Sequence, residues 1–305
     1  KCSLLTSTTL PKHLRHVPPF LFDGCNQLTS LHIADAVTSI GRFAFADCFN
    51  LTMVDIPNSI TSIGEGAFCK CTRLAYVNIP NDVSVIERNT FSRCVALTSV
   101  KIPDSVCKIE EAAFGWCRGL TSITIPASVT MIDDFAFKCC ENLVTIDIPD
   151  SVTRIGEEAF CHCEQLSTIK LPPLLLDIPD GMFAGCTSLT SIDIPTLVTN
   201  IGVSAFAECC HMTSIAISDS VAVIQDRAFR GCSSLVSVKL PSVLTSIGEE
   251  VFAGCKMLTA IDLPTTICEI QPKAFLNCVR LSRITISPTR DVLIYISSVA
   301  FVGCR

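Results

Sequence analysis

One spacing constrains the fold of this chain more than any other feature: a cysteine recurs every 23 residues. From Cys25 onward, a phenylalanine stands three residues before each of these cysteines. A fixed period of about 20 to 50 residues is typical of repeat proteins, in which each unit stacks on its neighbours. A chain of 305 residues would otherwise suggest about two globular domains. The period instead predicts one array of about 13 repeats over residues 1–305. The repeats start at Cys2, Cys25, Cys48, Cys71, Cys94, Cys117, Cys140, Cys163, Cys186, Cys209, Cys232, Cys255 and Cys278. Cys304 follows 26 residues after the last of these, and we call all of them the repeat cysteines.

The ninth repeat illustrates the pattern within one unit. Ile192 and Ile194 alternate with polar residues, which predicts a short strand with both side chains directed inward. The proline that follows ends this strand, because proline cannot donate a ladder hydrogen bond. Val198 and Ile201 predict a second inward-facing stretch. The segment 202–206 is too short for a stable helix and is expected to form a single 3₁₀ or α turn.

Stacked units of this kind predict a β-rich repeat solenoid with parallel strands and interior columns of Leu, Ile, Val, Phe and Cys. The pattern Cys-x-x-Leu-x-x-Ile-x-Ile-Pro-x-x-Val-x-x-Ile-Gly-x-x-Ala-Phe-x-x-Cys resembles the BspA-like, or Treponema-type, leucine-rich repeat over essentially the whole chain. This resemblance implies a right-handed parallel β superhelix or horseshoe with short turns on its convex side. It also implies a non-enzymatic binding surface on a secreted or surface protein, used for adhesion to host proteins or cells.

The chain departs from this pattern in its last repeat and at its ends. The proline column is lost at Ala34, Ser218 and Ser287, and three extra residues lie between Ser287 and Ser298, which predicts a surface insertion around Pro288–Asp291. Neither end carries a recognisable cap, although solenoids need capping units for solubility. We therefore expect a segment of a longer array, or ends that something else covers.

The repeat cysteines predict a buried column of thiols rather than a ladder of disulfides. Equivalent residues in stacked units lie about one strand spacing apart, but their Cβ atoms point in parallel and not toward each other. A buried thiol packs as a small apolar group and donates a weak hydrogen bond, here expected to go to a carbonyl of a turn.

Cys139 and Cys161 lie outside the 23-residue register and fall in adjacent units, so they are expected to be neighbours. A disulfide between them is one interpretation. His162 is expected to stack on Cys139, so these three residues could instead be zinc ligands, although a fourth ligand is not evident. The sequence therefore predicts no metal site and leaves the disulfide open.

Two columns of outward side chains, five and seven residues after each repeat cysteine, are expected to cover the concave face. Such a face is the usual location for partner binding in the family that the chain resembles. Its mixture of hydroxyl groups and charges is also what a solvated strand surface requires. The candidate partner-binding residues in these columns are Asp55, Tyr76, Asn78, Lys101, Asp147, Lys170, Asp193, Lys239 and Asp262.

A second candidate contact patch surrounds Trp116, the only tryptophan of the chain. Lys70 and Arg93 occupy the same position in the two preceding repeats, and Arg118 is close by in sequence. Trp and Arg are enriched at binding hot spots. The alternative is a half-buried tryptophan on which Arg93 stacks, a cation–π pair worth about 0.5–1 kcal/mol.

Composition and motifs exclude several function classes. The net charge of −6 argues against a nucleic-acid partner, and no apolar run is long enough to predict a transmembrane segment. No catalytic or cofactor motif is present, so we expect neither an enzyme nor a cofactor. The first hypothesis is a protein-binding scaffold, and the alternative is a structural subunit of a larger assembly or filament, held end to end through the repeats. The family resemblance implies a secreted or cell-surface location, whereas many unpaired thiols favour the cytoplasm.

Overall fold

The computed structural model describes residues 4–11, 13–286 and 294–304. The chain divides into two compact units, Lys1–Cys163 and Glu164–Arg305, and each is built from coils of parallel β structure. Cys2 and residues 287–293, which include Ser287 and the expected bulge Pro288–Asp291, lie outside the described residues. A single array over residues 1–305 stays a prediction.

In the first unit, every coil contributes a three-residue strand followed by a two-residue strand. The longer, first strands are β1 (Ser7–Thr9), β3 (Ser30–His32), β5 (Met53–Asp55), β7 (Tyr76–Asn78), β9 (Ser99–Lys101), β11 (Ser122–Thr124) and β13 (Thr145–Asp147). The second strands are β2 (His16–Val17), β4 (Ser39–Ile40), β6 (Ser62–Ile63), β8 (Val85–Ile86), β10 (Lys108–Ile109), β12 (Met131–Ile132) and β14 (Arg154–Ile155). First strands pair with first strands and second strands with second strands, always in parallel.

The second unit repeats this plan with one interruption. Its first strands are β15 (Thr168–Lys170), β18 (Ser214–Ala216), β20 (Ser237–Lys239), β22 (Ala260–Leu263) and β24 (Arg283–Ile286). Its second strands are β16 (Asp177–Ile178), β17 (Asn200–Ile201), β19 (Val223–Ile224), β21 (Ser246–Ile247), β23 (Glu269–Ile270) and β25 (Tyr295–Ile296).

The strand predicted around Ile192 and Ile194 is wrong, although both side chains are buried as expected. Residues 191–195 belong to no strand. The backbone hydrogen bonds of this coil explain the difference. Thr190 N lies 3.4 Å from Ser167 O, and Thr213 N lies 3.3 Å from Thr190 O. In the first unit, the matching distance from Thr121 N to Thr98 O is 3.5 Å, but the coils of β9 and β11 each keep a bond of 3.0–3.1 Å on their other side. The coil of Ile192 has longer bonds on both sides and therefore forms no regular ladder.

The register between coils confirms the 23-residue period. Ser7 pairs with Ser30 on the first strands, and Lys108 pairs with Met131 on the second strands. The exception is the pair Glu269 and Tyr295, whose members lie 26 residues apart instead of 23. Because Ile286 still pairs with Leu263 at the normal interval, the three extra residues lie between Ile286 and Tyr295.

The interior of each unit is a set of stacked columns of similar apolar residues. The clearest is the phenylalanine column, whose rings stack with centroids 5.2–5.7 Å apart and planes within 16° of parallel. The ring of Phe137, for example, has no exposed surface. Burying one such side chain contributes about 1.5–3 kcal/mol. Because the column repeats in every coil, this contribution recurs along both units.

The repeat cysteines form the buried thiol column that the sequence predicts. In the described contacts, each thiol donates to the carbonyl of the phenylalanine that precedes the previous repeat cysteine. Cys117 Sγ lies 3.1 Å from Phe91 O, and Cys232 Sγ lies 3.2 Å from Phe206 O. Burial raises the pKa of the Cys117 thiol from its ordinary value of 9.0 to about 12. The thiols are therefore neutral packing groups that bind one coil to the next.

The segment between the second strand and the next repeat cysteine is a run of tight turns, and none of the described residues forms a helix. Backbone N–H groups alternate along this segment. Phe45 N donates to Ala67 O of the next coil at 2.8 Å, whereas Ala46 N donates to Phe43 O within the turn at 3.2 Å. The predicted single 3₁₀ or α turn is therefore wrong in form, because several tight turns follow one another with left-handed residues between them. Every second amide donates to the neighbouring coil and joins the two coils.

Candidate functional site

The residue directly before each repeat cysteine has a left-handed backbone in every described coil, with φ between 56° and 80°. We call these positions the edge column. They are Gly24, Asp47, Lys70, Arg93, Trp116, Cys139, His162, Gly185, Glu208, Gly231, Gly254, Asn277 and Gly303. Most residues other than glycine avoid this conformation. The neighbouring coils over-determine it, because each of the N–H groups of Lys70, Arg93 and Trp116 donates to a carbonyl of the next coil at 2.6–2.8 Å.

The left-handed backbone places successive edge-column side chains above one another in the first unit. The Arg93 guanidinium lies 4.9 Å from the centre of the Trp116 ring, as the stacking alternative predicts. Lys138, from the following coil, places its Nζ 5.9 Å from the same ring centre. The only tryptophan of the chain is therefore held between two cations that come from the coils on either side of it.

All four residues of the predicted second patch line one groove of about 270 Å³. We call it the edge groove, and we name its lining residues in two sets: the rim, Lys70, Arg93, Trp116 and Arg118, and the floor, Phe49, Thr72 and Val95. Sequence reasoning missed Phe49 and Val95, which are 40% and 38% exposed. Both directly follow a repeat cysteine, and that regular spacing is the signal that could have found them.

Charge in the edge groove is predominantly positive. The Lys70 ammonium lies 3.3 Å from Asp47, and Arg118 Nε lies 2.8 Å from Glu141. Among the residues that the structure describes, no carboxylate oxygen lies within 4.0 Å of the Arg93 side-chain nitrogens. The guanidinium of Arg93 is thus available to a carboxylate of a bound molecule.

In the second unit, the edge column and the column directly after the repeat cysteines line another groove, with a volume of about 350 Å³. Here the edge column supplies Glu208, Gly231 and Gly254 in place of lysine, arginine and tryptophan. Cys210 lies in this groove with its Sγ 3.7 Å from Gly231 O. This groove has no aromatic residue in its lining, and its cations Arg230 and Lys256 lie beside the acidic Glu208.

The predicted partner-binding residues lie on the outward side of the first strands, a surface that we call the first-strand face. In the first unit, Asp55, Tyr76, Asn78, Lys101 and Asp147 are all exposed. Parallel pairing sets Asn78 beside Lys101 in neighbouring strands.

The first-strand face of the second unit carries the remaining four predicted residues. Lys170, Lys239 and Asp262 are exposed on β15, β20 and β22. Asp193 is exposed too, but it lies in the coil that forms no first strand. These residues have the exposure that a binding face requires, and their role stays a prediction.

Cys139 and Cys161 are neighbours, as predicted, and both are free thiols in this structure. Cys139 N donates to Cys161 O at 2.7 Å. Burial raises the pKa of both thiols, that of Cys161 to about 12, where the charge of Glu158 adds to the effect. The disulfide stays a prediction. Within the described residues, no three or more His, Cys, Asp or Glu side chains come together as a metal site, so His162 does not complete a zinc cluster with these two cysteines.

Two further cysteines, Cys107 and Cys268, are exposed and stand in a column where threonine is the commonest residue of the other coils. Cys107 Sγ lies 3.3 Å from Ser84 O, the same bond that the Thr130 hydroxyl makes to Cys107 O. These thiols act as substitutes for a threonine hydroxyl on the surface.

Comparison with known proteins agrees with this architecture. The family model for the BspA type leucine rich repeat region matches residues 1–118, 84–211 and 199–305. A leucine-rich repeat protein from Bacteroides ovatus is 32% identical, with a TM-score of 0.90 over 99% of this chain and 77% of that one. A leucine rich cell surface protein from Faecalibacterium prausnitzii is 28% identical, with a TM-score of 0.64 over 96% of this chain and 92% of that one. The T. pallidum leucine rich repeat protein is 32% identical, with a TM-score of 0.51 over 53% of this chain and 78% of that one.

The search of curated proteins found no significant match. In the part of the chain that the structure describes, no helix has the length and apolar character to cross a membrane. The 23-residue period, the stacked phenylalanine and thiol columns, the parallel coils and a family model that spans the sequence all agree. This chain belongs to the BspA type leucine-rich repeat family.

Proposed function

We propose that the protein is a non-enzymatic scaffold that binds a protein partner on its first-strand face and serves recognition or adhesion at a cell surface. One observation carries the proposal. In most of the first strands, the middle residue is buried while the residues on either side are exposed, as in Tyr76, Val77 and Asn78. The backbone is rigidly paired, so this alternation offers two parallel rows of outward side chains on a firm support.

The first unit concentrates the chemistry that partner binding needs. Met53 and Tyr76 occupy the same column in adjacent coils and are 64% and 52% exposed. Charged groups surround them: the His32 Nδ1 lies 3.7 Å from the Asp55 carboxylate, and Lys101 follows two coils further on. Exposed aromatic side chains within a polar rim are typical of interface hot spots.

The cellular location rests on the relatives. The Faecalibacterium protein is described as a cell surface protein, which supports a surface location for this chain. The exposed free thiols Cys107 and Cys268 favour a reducing compartment instead, because exposed thiols oxidise outside the cell. Antibody labelling of intact and permeabilised cells of the source organism separates the two locations.

The binding proposal is tested by adhesion of protein-coated beads to cultured cells. Tyr76→Ala combined with Lys101→Glu removes an aromatic anchor and reverses a charge, so we expect adhesion to fall by about tenfold. The control, Arg154→Glu with Glu157→Lys, reverses two exposed charges near the second strands of the same unit and leaves net charge unchanged.

Equal adhesion by both variants would overturn the first-strand face as the binding surface. Concentration-dependent growth of long oligomers in analytical ultracentrifugation would favour the alternative function, a subunit of a filament. A monomer that adheres through Tyr76 and Lys101 supports the scaffold.

A further inference from the structure

The edge groove of the first unit is a second surface with a chemistry that the first-strand face lacks. Its floor is apolar, since Phe49 and Val95 remain well exposed instead of packing into the interior. Its volume of about 270 Å³ suits one large side chain rather than an extended ligand. A ligand that fills a groove of this size and covers its apolar floor should therefore carry one large apolar side chain, such as leucine or phenylalanine.

The rim of the edge groove adds a requirement for negative charge. Lys70, Arg93 and Arg118 line the groove together with the floor residues, and the Lys138 Nζ lies 5.9 Å from the centre of the Trp116 ring. The acidic partners Asp47 and Glu141 engage Lys70 and Arg118, which leaves the Arg93 guanidinium as the free charge over the groove. In a chain of net charge −6, this local cluster selects an acidic ligand.

The groove is also formed before any ligand arrives. The Thr72 hydroxyl donates to Phe49 O at 3.2 Å, and Gly119 N donates to Val95 O at 2.9 Å. Because the floor and rim are tied to neighbouring coils by such bonds, little conformational entropy is lost on binding.

From these observations we infer that the edge groove binds an acidic peptide segment of a partner protein, with one apolar side chain on Phe49 and Val95 and a carboxylate on Arg93. A nucleic acid fits less well, because the chain carries a net charge of −6 and the one tryptophan ring of the groove is not open for base stacking. The guanidinium of Arg93 and the ammonium of Lys138 lie over the Trp116 ring instead.

Trp116 provides a direct probe of this inference, because its emission reports only on the edge groove in the folded protein. The probe ligand is a blocked peptide, Glu-Glu-Leu-Glu-Glu, titrated into the full chain while calorimetry and tryptophan emission are recorded. Two comparison peptides, Glu-Glu-Ser-Glu-Glu and Lys-Lys-Leu-Lys-Lys, remove the anchor and reverse the charge.

We expect the first peptide to bind and to shift the Trp116 emission, with an affinity that weakens as salt is added. Arg93→Gln and Phe49→Ser should each weaken binding by about tenfold, whereas Arg154→Gln, an exposed arginine outside the groove, should leave it within about twofold. The mutated side chains are exposed, so all three variants are expected to fold, and their circular dichroism spectra verify this.

Three outcomes would overturn the inference: no calorimetric binding of the first peptide, equal binding of either comparison peptide, or equal binding to the wild type and Arg93→Gln. Tighter binding of a single-stranded oligonucleotide at the same groove would assign the surface to nucleic acid and overturn it as well.

Discussion

The repeat cysteine and the edge residue directly before it are adjacent in the chain, yet they carry opposite information. The cysteine has the same identity in every coil, is buried, and in the described contacts donates to the same kind of carbonyl. The edge residue has the same left-handed backbone in every coil but varies among glycine, lysine, tryptophan and glutamate. The comparison teaches that this fold constrains the side chain at the interior position but only the backbone at the edge position. The edge side chain can therefore vary and take part in binding.

The edge columns of the two units extend this lesson. Lys70, Arg93 and Trp116 build a basic, aromatic groove in the first unit. At the corresponding positions of the second unit, Gly231 and Gly254 leave an open groove beside Glu208. The same backbone therefore supports two surfaces of different chemistry.

The largest predicted effect is a loss of stability at alkaline pH that comes from the repeat cysteines. Burial raises the pKa of the Cys48, Cys117 and Cys278 thiols from 9.0 to about 12. The stability that each contributes is fully present below pH 9 and is lost as the pH rises toward 12. Each such thiol should lower the free energy of unfolding by about 1.4 kcal/mol per pH unit in that window. Urea unfolding followed by circular dichroism between pH 7 and about 10.5 measures the slope.

The variant Cys117→Ala should reduce that slope by one thiol's share. The control is Cys107→Ala, which removes a thiol that is already exposed in the folded chain. A slope that responds equally to both replacements would contradict the difference between repeat and surface cysteines.

Truncation of an interior phenylalanine should have the next largest effect. Phe137 is fully buried, and its ring centre lies 5.5 Å from that of Phe114 and 5.6 Å from that of Phe160. Phe137→Ala should lower the free energy of unfolding by about 3–5 kcal/mol, since it leaves a cavity in the column. Phe49→Ala, at an exposed ring, should cost about 0.5 kcal/mol or less. Similar losses from the two changes in urea unfolding would show that the phenylalanine column is not the main source of stability.

The same substitution, cysteine to threonine, should have opposite signs at two positions. At Cys117 the added methyl group meets a closed interior, and we expect a loss of about 1–3 kcal/mol. At Cys107 threonine restores the hydroxyl column, and the stronger hydrogen bond to Ser84 O should add about 0.5 kcal/mol. Thermal melting of the two variants checks the signs, and a loss at Cys107 would disprove its assignment to the threonine column.

The last prediction concerns the left-handed backbone of the edge column. Lys70 has a φ of 59°, a conformation that a β-branched residue strongly disfavours. Lys70→Gly should therefore be more stable than Lys70→Val by about 1 kcal/mol. The order should reverse at Lys101, which lies in β9, because valine suits a strand and glycine does not. The same order at both sites in thermal melting would contradict the assigned backbone.

Much of this fold could be predicted because the cysteine and phenylalanine columns repeat one residue type and the other interior columns stay apolar. The buried thiols, their turn carbonyls and the inward positions of Ile192 and Ile194 all followed from spacing. The absence of a strand at residues 191–195 could not be predicted, because it depends on the lengths of the hydrogen bonds between coils. The edge column was partly hidden, since Lys70, Arg93 and Trp116 give no sign of a positive φ. Only glycines such as Gly185 and Gly231, in the same column, could have indicated it.

The candidate site was predictable to a similar extent. The neighbours of Trp116 and the stacking of Arg93 followed from the register. Phe49 and Val95 directly follow repeat cysteines, and this regular spacing marks them as one column. The spacing alone does not show that both side chains stay exposed and line a groove with Arg93 and Trp116.

The central claim, that the repeat cysteines are buried thiol donors rather than disulfides, is tested most directly by counting thiols without reductant. The protein is alkylated with a mass tag first in the native state and then after denaturation, and the labelled sites are mapped. We predict native labelling at the exposed Cys107 and Cys268, protection of Cys71, Cys94 and Cys117, and full labelling of those three once the chain unfolds. Labelling of the repeat cysteines at the native rate of Cys107, or their failure to label after unfolding, would contradict it.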